Sequence, residues 1–157
     1  MSLAQLNGLI LCGRVGKRTD KLAIELVAST QGRTDCQEWH TDGWSGYERV
    51  LCTDDVEHYI GKILTQRLER TNGSLRQQTG RWQRRQNMRD CGRNPSPRNS
   101  RKFGKVWEQT KVTLRLVISY FNWIWVHSRL GTTAAQRADL TSEPWTWQDI
   151  ATYSTLC

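Results

Sequence analysis

The sequence predicts an α/β protein of one domain, and three observations predict it. A run of β-favouring residues at 9–15 is followed by an amphipathic helical pattern and then by a second short strand pattern. This order of strand, helix and strand is typical of a βαβ unit. Apolar residues recur at helical spacing in the last third of the chain, so we expect its C-terminal half to be rich in helix. A length of 157 residues suits one domain with a modest core.

The first helix is predicted to begin after Thr19 and to end by Gly32. The Thr19 hydroxyl can cap the helix, and Asp20 then lies in the first turn, where the helix dipole favours an acid. A short strand is predicted at residues 36–40, and it delivers Asp42 to the loop at its carboxyl end. Ligands of open α/β sheets bind at the carboxyl ends of strands, so the position suits a metal ligand.

Shorter elements are expected next to this loop. One helical turn is predicted around residues 47–51 and an edge strand at 58–60, closed by Gly61. The adjacent acids Asp54 and Asp55 could suggest a metal site. A solvated turn is the preferred interpretation, because neighbouring carboxylates rarely converge on one ion.

A second helix is predicted from a Thr65 cap to about residue 86. Glu69, Asn72 and Arg76 would share one face, because they are spaced i, i+3 and i+7. Asp42 and Glu69 could then share a divalent cation with an amide and a guanidinium beside them. A turn aspartate before glycine and a solvated helix glutamate are the simpler alternatives.

The rest of the chain is predicted to be a loop followed by helices. Residues 87–101 contain two prolines and no apolar period, so we expect a basic loop. Residues 106–127 predict a helix that is buried on most sides, interrupted by Asn122. His127 could contact DNA or cap that helix. Short helices are expected at 134–138 and near residue 150.

The charge of the chain favours nucleic acid as its partner. The net charge is +8 and the pI is about 9.6. Between Arg67 and Lys105 there are twelve Lys or Arg and two acids, which argues against a uniformly basic surface. Arginines that lie off the apolar stripe of the second helix would contact phosphates or, alternatively, would only solubilise it.

The five cysteines include no C-x-x-C pair, so the sequence predicts reduced thiols and no zinc site. The apolar run at residues 9–12 is too short for a signal peptide or a membrane span. We therefore expect a cytoplasmic, nucleoid-associated protein without a membrane partner.

Two motifs together carry a resemblance to a known family. Residues 41–47 read T-D-G-W-S-G-Y, and residues 65–76 read T-Q-R-L-E-R-T-N-G-S-L-R. With F-G-K at 103–105, they resemble the C-terminal part of the transposase of the insertion-sequence-one family, over about residues 14–87 and 102–157. The resemblance implies a partial RNase H-like core, with a short mixed sheet and flanking helices, and a two-metal Asp-Asp-Glu (DDE) site.

That site would cut and join DNA strands with Mg²⁺ or Mn²⁺. By resemblance Asp42 is the second Asp and Glu69 is the Glu, so both would be catalytic metal ligands. Lys105 matches a lysine that would position the substrate. The DNA partners would be the terminal repeats and the target, with a second copy or an upstream-encoded transposase half as further partners. The expected DNA contacts are Arg70, Asn72, Arg76, Arg81, Arg84, Arg85 and Lys102.

The chain departs from the family pattern in three ways. The strand at 9–12 has no carboxylate where the family has its first Asp. Residues 87–101 are an insertion, which would shift Lys105 relative to Glu69. We also expect the family's N-terminal zinc-binding and helix-turn-helix region to be absent.

We therefore expect residues 1–157 to be a single partial DDE transposase domain with impaired strand cleavage. A non-catalytic DNA-binding fragment is the alternative function. A fragment that does not fold stably is the third interpretation, since missing strands would expose a sheet edge.

Overall fold

The computed structural model describes residues 1–52, 56–79 and 107–153, and these form a mixed α/β structure. In chain order its elements are β1 (Ser2–Leu3), β2 (Ile10–Cys12), α1 (Asp20–Gln31), β3 (Glu38–Thr41), α2 (Ser45–Val50), β4 (Glu57–Ile60), α3 (Lys62–Thr79), α4 (Trp107–Ser119), a π-helical turn (Tyr120–Ile124), α5 (Ala134–Arg137) and α6 (Trp147–Thr152). The acidic turn predicted at 53–55 and the loop predicted at 87–101 lie outside the described residues.

The described strands form two separate pairs. β1 and β2 are antiparallel, whereas β3 and β4 are parallel, with Thr41 opposite Ile60. The βαβ unit predicted around α1 is therefore wrong, because β2 does not share a sheet with β3. The parallel pair is β3 and β4, with α2 in their connection. The larger RNase H-like sheet stays a prediction.

β2 does not pair with β3 because the main-chain hydrogen-bonding groups of β2 have other partners. The segment before it folds back through a tight turn, in which the Gly8 N–H donates to Ala4 O at 2.9 Å, and this turn pairs β1 with β2. Both main-chain hydrogen-bonding groups of Ile10 are taken by the side chain of Asn122, whose amide oxygen accepts from the N–H and whose amide nitrogen donates to the carbonyl, each at 2.9 Å. A side chain thus occupies the place of a neighbouring strand.

Side-chain capping explains where α1 begins, but not where α3 begins. The Thr19 hydroxyl accepts from Leu22 N, so the predicted start of α1 is confirmed, and the helix buries Ala23, Leu26 and Val27. α3 begins at Lys62 rather than after Thr65, and this prediction was wrong. Thr65 lies inside the helix, where its hydroxyl donates to the carbonyls of Gly61 and Lys62 at 3.3 and 3.2 Å.

The C-terminal helices are less buried than the apolar pattern predicts. Val112 and Leu116 on α4 are 55% and 50% exposed, so a helix buried on most sides is wrong. The π-helical turn carries the buried Phe121 and Asn122. His127 lies beyond this turn, and its Nδ1 accepts from the backbone N–H of Arg129, so it does not cap the helix.

The two short helices predicted near the C-terminus are present, and a capping box begins each of them.

Two apolar clusters form the core of the described residues. Ile10, Leu75 and Phe121 form the first cluster, which joins the N-terminal strands to the C-terminal helices. Val27, Trp39 and Leu51 form the second cluster, between α1 and β3. Within the described ranges, no helix is long and apolar enough to cross a membrane.

Candidate functional site

Asp42 follows β3 directly, at the carboxyl end of the parallel strand pair, as predicted. The end of the strand is fixed, because Gly61 N donates to Thr41 O at 3.1 Å. The buried Thr41 hydroxyl also lies 2.6 Å from His58 Nε2 on the neighbouring strand. The loop that carries Asp42 therefore starts from a well-defined point of the sheet.

The Asp42 carboxylate is paired with an arginine that the sequence did not indicate. Arg18 Nη2 lies 3.0 Å from Asp42 Oδ2, and both side chains are at least half exposed. The same guanidinium lies 4.7 Å from the ring centroid of Trp44. Arg18 precedes the cap of α1, so only the fold brings it to Asp42.

The Trp44 ring also contacts Tyr47 and Gly46. It meets the Tyr47 ring edge-on, with centroids 5.0 Å apart. The ring also covers Gly46, where a Cβ would lie 2.4 Å from two ring carbons. A glycine is needed here for the close approach of the ring. The result is a fixed aromatic surface below the Arg18 guanidinium.

The charges around this cluster affect Tyr47. Burial raises the pKa of the Tyr47 phenol, and the negative Asp42 raises it further, whereas Arg18 opposes the shift. Tyr47 is therefore a neutral hydroxyl at physiological pH. A cavity of about 70 Å³ adjoins this cluster, and it is lined by Arg14, Arg18, Trp44 and Tyr47 together with Met1, Thr19, Leu22, Ala23 and Leu26.

Glu69 lies on the exposed face of α3. The helix starts two residues after β4 ends, and α3 packs against β3, so the elements that carry Asp42 and Glu69 are neighbours. Glu69 is seven residues after Lys62, which places it about 10 Å along the helix axis from the strand end. The structure therefore brings the two elements together, but among the residues that it describes no third ligand joins the pair.

The described residues do not fit a two-metal centre. Two-metal phosphoryl transfer needs several carboxylates around ions about 3.5–4 Å apart. In residues 1–52, 56–79 and 107–153, no three His, Cys, Asp or Glu side chains lie close enough to hold an ion. Arg18 already neutralises Asp42. That Asp42 and Glu69 bind a metal ion therefore stays a prediction.

The predicted DNA contacts divide into two sets. Arg70 and Arg76 are exposed on α3, while Asn72 is half-buried. The remaining predicted residues lie outside the described part of the chain: Arg81, Arg84, Arg85, Lys102 and Lys105.

Two further arginines have a structural role that sequence patterns do not indicate. Arg67 donates to Gln5 O, and Arg137 donates to Asn7 O at 2.8 Å. Both therefore hold the N-terminal turn, and burial lowers the pKa of Arg137, with Arg67 adding to the effect.

The fold and the site define a class of protein: it is a basic α/β protein with an arginine-paired carboxylate at a strand end and exposed arginines on α3. A family model for IS1 transposase matches residues 2–89, which is more than half of the chain. The chain belongs to the IS1 transposase family, and its role is in DNA transposition. No curated protein and no solved structure gives a significant match.

Proposed function

We propose that this chain binds DNA through α3 and the arginine-rich sequence that follows it, as its part in transposition. One observation carries the proposal: Lys62, Arg70 and Arg76 are exposed on α3, whose only acid is Glu69. The sequence then adds Arg81, Arg84 and Arg85. Arginine suits this task because its planar donors match phosphate geometry.

The binding should be dominated by the DNA backbone. Each phosphate that a basic side chain neutralises releases counterions, so the logarithm of the binding constant falls with the logarithm of salt by about 0.9 per contact. Fluorescence anisotropy of a labelled 30-base-pair duplex, which spans about three helical turns, would measure this binding. The titrations would be made in EDTA, between about 50 and 200 mM salt. Steep salt dependence is expected.

Arg70→Gln is the first variant to compare, because Arg70 is exposed on the proposed DNA face. We expect weaker binding and a slope reduced by about one contact. Lys111→Gln is the matched control, since it removes the same charge from α4, where Lys111 pairs with Glu108 at 2.8 Å. Equal slopes for Arg70→Gln, Lys111→Gln and the unchanged chain would overturn the proposed face.

Strand cleavage and strand transfer at the ends of an insertion element form the second candidate function. The position of Asp42 at a parallel strand end favours it. Asp42 and Glu69 would hold Mg²⁺ or Mn²⁺, and Lys105 would position the phosphate. We infer that this chain alone does not cleave, because β2 carries no carboxylate to serve as the first Asp.

A nicking assay on supercoiled plasmid tests this inference. With Mg²⁺ or Mn²⁺ we expect no nicks above those seen in EDTA. The inference is wrong if metal-dependent nicking occurs and is lost in both Glu69→Gln and Asp42→Asn. Nicking that survives both substitutions would come from a contaminating nuclease, and a repurified sample should then show none.

A further inference from the structure

We propose a second DNA-backbone site in the loop between β2 and α1, in which Asp42 and Trp44 position the Arg18 guanidinium for a phosphate. The proposal rests on the DNA-binding function above and adds a surface separate from α3. It gives Asp42 the role of a positioning residue that needs no metal ion. The chemical class of the ligand is a phosphodiester of the DNA backbone.

The first step is that Arg18 is held but not covered. Asp42 bonds it at 3.0 Å and the Trp44 ring lies 4.7 Å away, yet 61% of the Arg18 side chain remains exposed. A guanidinium has five N–H donors in a planar fork, and the bond to Asp42 is made through Nη2. A fork that is already oriented loses less side-chain entropy when it binds a phosphate.

The second step concerns the charge of the surrounding loop. Arg14, Lys17 and Lys21 are exposed near Arg18. The acid of this segment, Asp20, is neutralised by Arg49, which donates to its two oxygens at 2.7 and 2.9 Å. The loop therefore keeps a local positive surplus that attracts a polyanion.

The third step is the shape of the surface. Arg14 and Arg18 line the same cavity of about 70 Å³, together with Trp44 and Tyr47. Arg14 is oriented by a hydrogen bond to the Ser29 hydroxyl. Arg14 therefore adds a second positive charge to the cavity that Arg18 lines.

The role of Asp42 can be tested by whether removing its carboxylate strengthens or weakens DNA binding. A carboxylate near DNA repels phosphate, so its removal should strengthen binding if charge alone matters. If Asp42 positions Arg18, its removal should weaken binding instead. The measurement is made in EDTA, where a metal-ligand role of Asp42 would have no effect.

The experiment uses the same duplex in EDTA, with circular dichroism melts to show that each variant is folded. We expect Arg18→Gln to bind about fivefold more weakly, with a salt slope reduced by about 0.9. Asp42→Ala should also weaken binding, and the double variant should bind no more weakly than Arg18→Gln alone. Glu48→Ala, which removes an exposed acid of α2, is the matched control and should not weaken binding.

Each contrary result has one meaning. If Arg18→Gln keeps the affinity and slope of the unchanged chain while Arg70→Gln loses both, the loop is not a DNA site and the α3 proposal stands. If Asp42→Ala strengthens binding while Arg18→Gln weakens it, Asp42 does not position Arg18. If the unchanged chain binds no DNA, the proposed function and this site both fail.

Discussion

One buried amide ties the two ends of the described chain together. Asn122 is 6% exposed, and its side chain accepts from Ile10 N and donates to Ile10 O, both at 2.9 Å. Ile10 lies in the first core cluster beside Phe121. The amide therefore fixes β2 against the π-helical turn with two hydrogen bonds inside an apolar environment.

Replacing this amide should be costly. Asn122→Leu keeps a similar volume but leaves the N–H and the carbonyl of Ile10 without partners. We expect a loss of about 2–4 kcal/mol in the free energy of unfolding, since each buried unpaired group costs about 1–3 kcal/mol. Urea denaturation measures it. Gln109→Leu, on the exposed side of α4, is the control, and equal stabilities of the two variants would contradict the prediction.

At the residue scale, the positions that could be predicted are those fixed by neighbouring residues in the chain. Asp42 could be predicted at a strand end, because the strand pattern and the Asp-Gly turn adjoin in the chain. The bond between Asn122 and Ile10 spans 112 residues, and that between Arg18 and Asp42 spans 24. No spacing rule relates residues that only the tertiary fold brings together.

At the scale of elements, one ion pair joins α1 to α2. Arg49 donates to Asp20, and this hydrogen bond lowers the pKa of the Asp20 carboxyl below its ordinary 3.8. An acid whose pKa is lowered by folding adds stability above its unfolded pKa. That stability is lost as pH falls through the lower, folded pKa.

The variant Arg49→Gln should remove this contribution. By NMR, we expect the Asp20 carboxyl of the variant to titrate closer to 3.8 than it does in the unchanged chain. The stability difference between the two proteins should be present at neutral pH and vanish in acid. Asp149 is the internal control, because its lowered pKa comes from hydrogen bonds with Thr146 and should not move. An Asp20 titration that is the same in both proteins would refute the assignment.

A second element-scale prediction concerns the interior of α3. A Cβ at Gly73 would meet no atom within 4 Å, so the helix can accept alanine there. Gly73→Ala should stabilise the protein by about 0.5–1 kcal/mol, since glycine loses more backbone entropy in a helix. Thermal melting measures the gain. Gly131→Ala, at φ +65, should destabilise instead, and a lower melting temperature for Gly73→Ala would contradict the argument.

The elements also show why helices were easier to predict than sheets. The start of α1 follows from Thr19, whose hydroxyl meets a backbone N–H three residues later. The start of α3 was misplaced, because the chain leaves β4 through Gly61 and enters the helix at once. Strand order was predicted wrongly, because the pairing partner of β2 is chosen by the turn at Gly8 and by Asn122.

At the scale of the whole molecule, α3 links the first core cluster to the strand that carries part of the second. Leu75 on α3 is 3% exposed and packs with Ile10 and Phe121. The same helix contacts β3, whose Trp39 belongs to the second cluster. Clusters that are coupled through one helix should unfold together rather than in turn.

The variant Leu75→Ala tests this coupling. We expect a loss of about 2–5 kcal/mol, the range for a buried leucine cut to alanine. If the clusters are coupled, amide hydrogen exchange should accelerate around Ile10 and also around Val27 and Trp39. Ile63→Ala, which truncates an 81% exposed side chain on the same helix, should change stability by less than about 0.5 kcal/mol. Exchange that accelerates around Ile10 alone would mean that the second cluster is stable by itself, with α3 only resting against it.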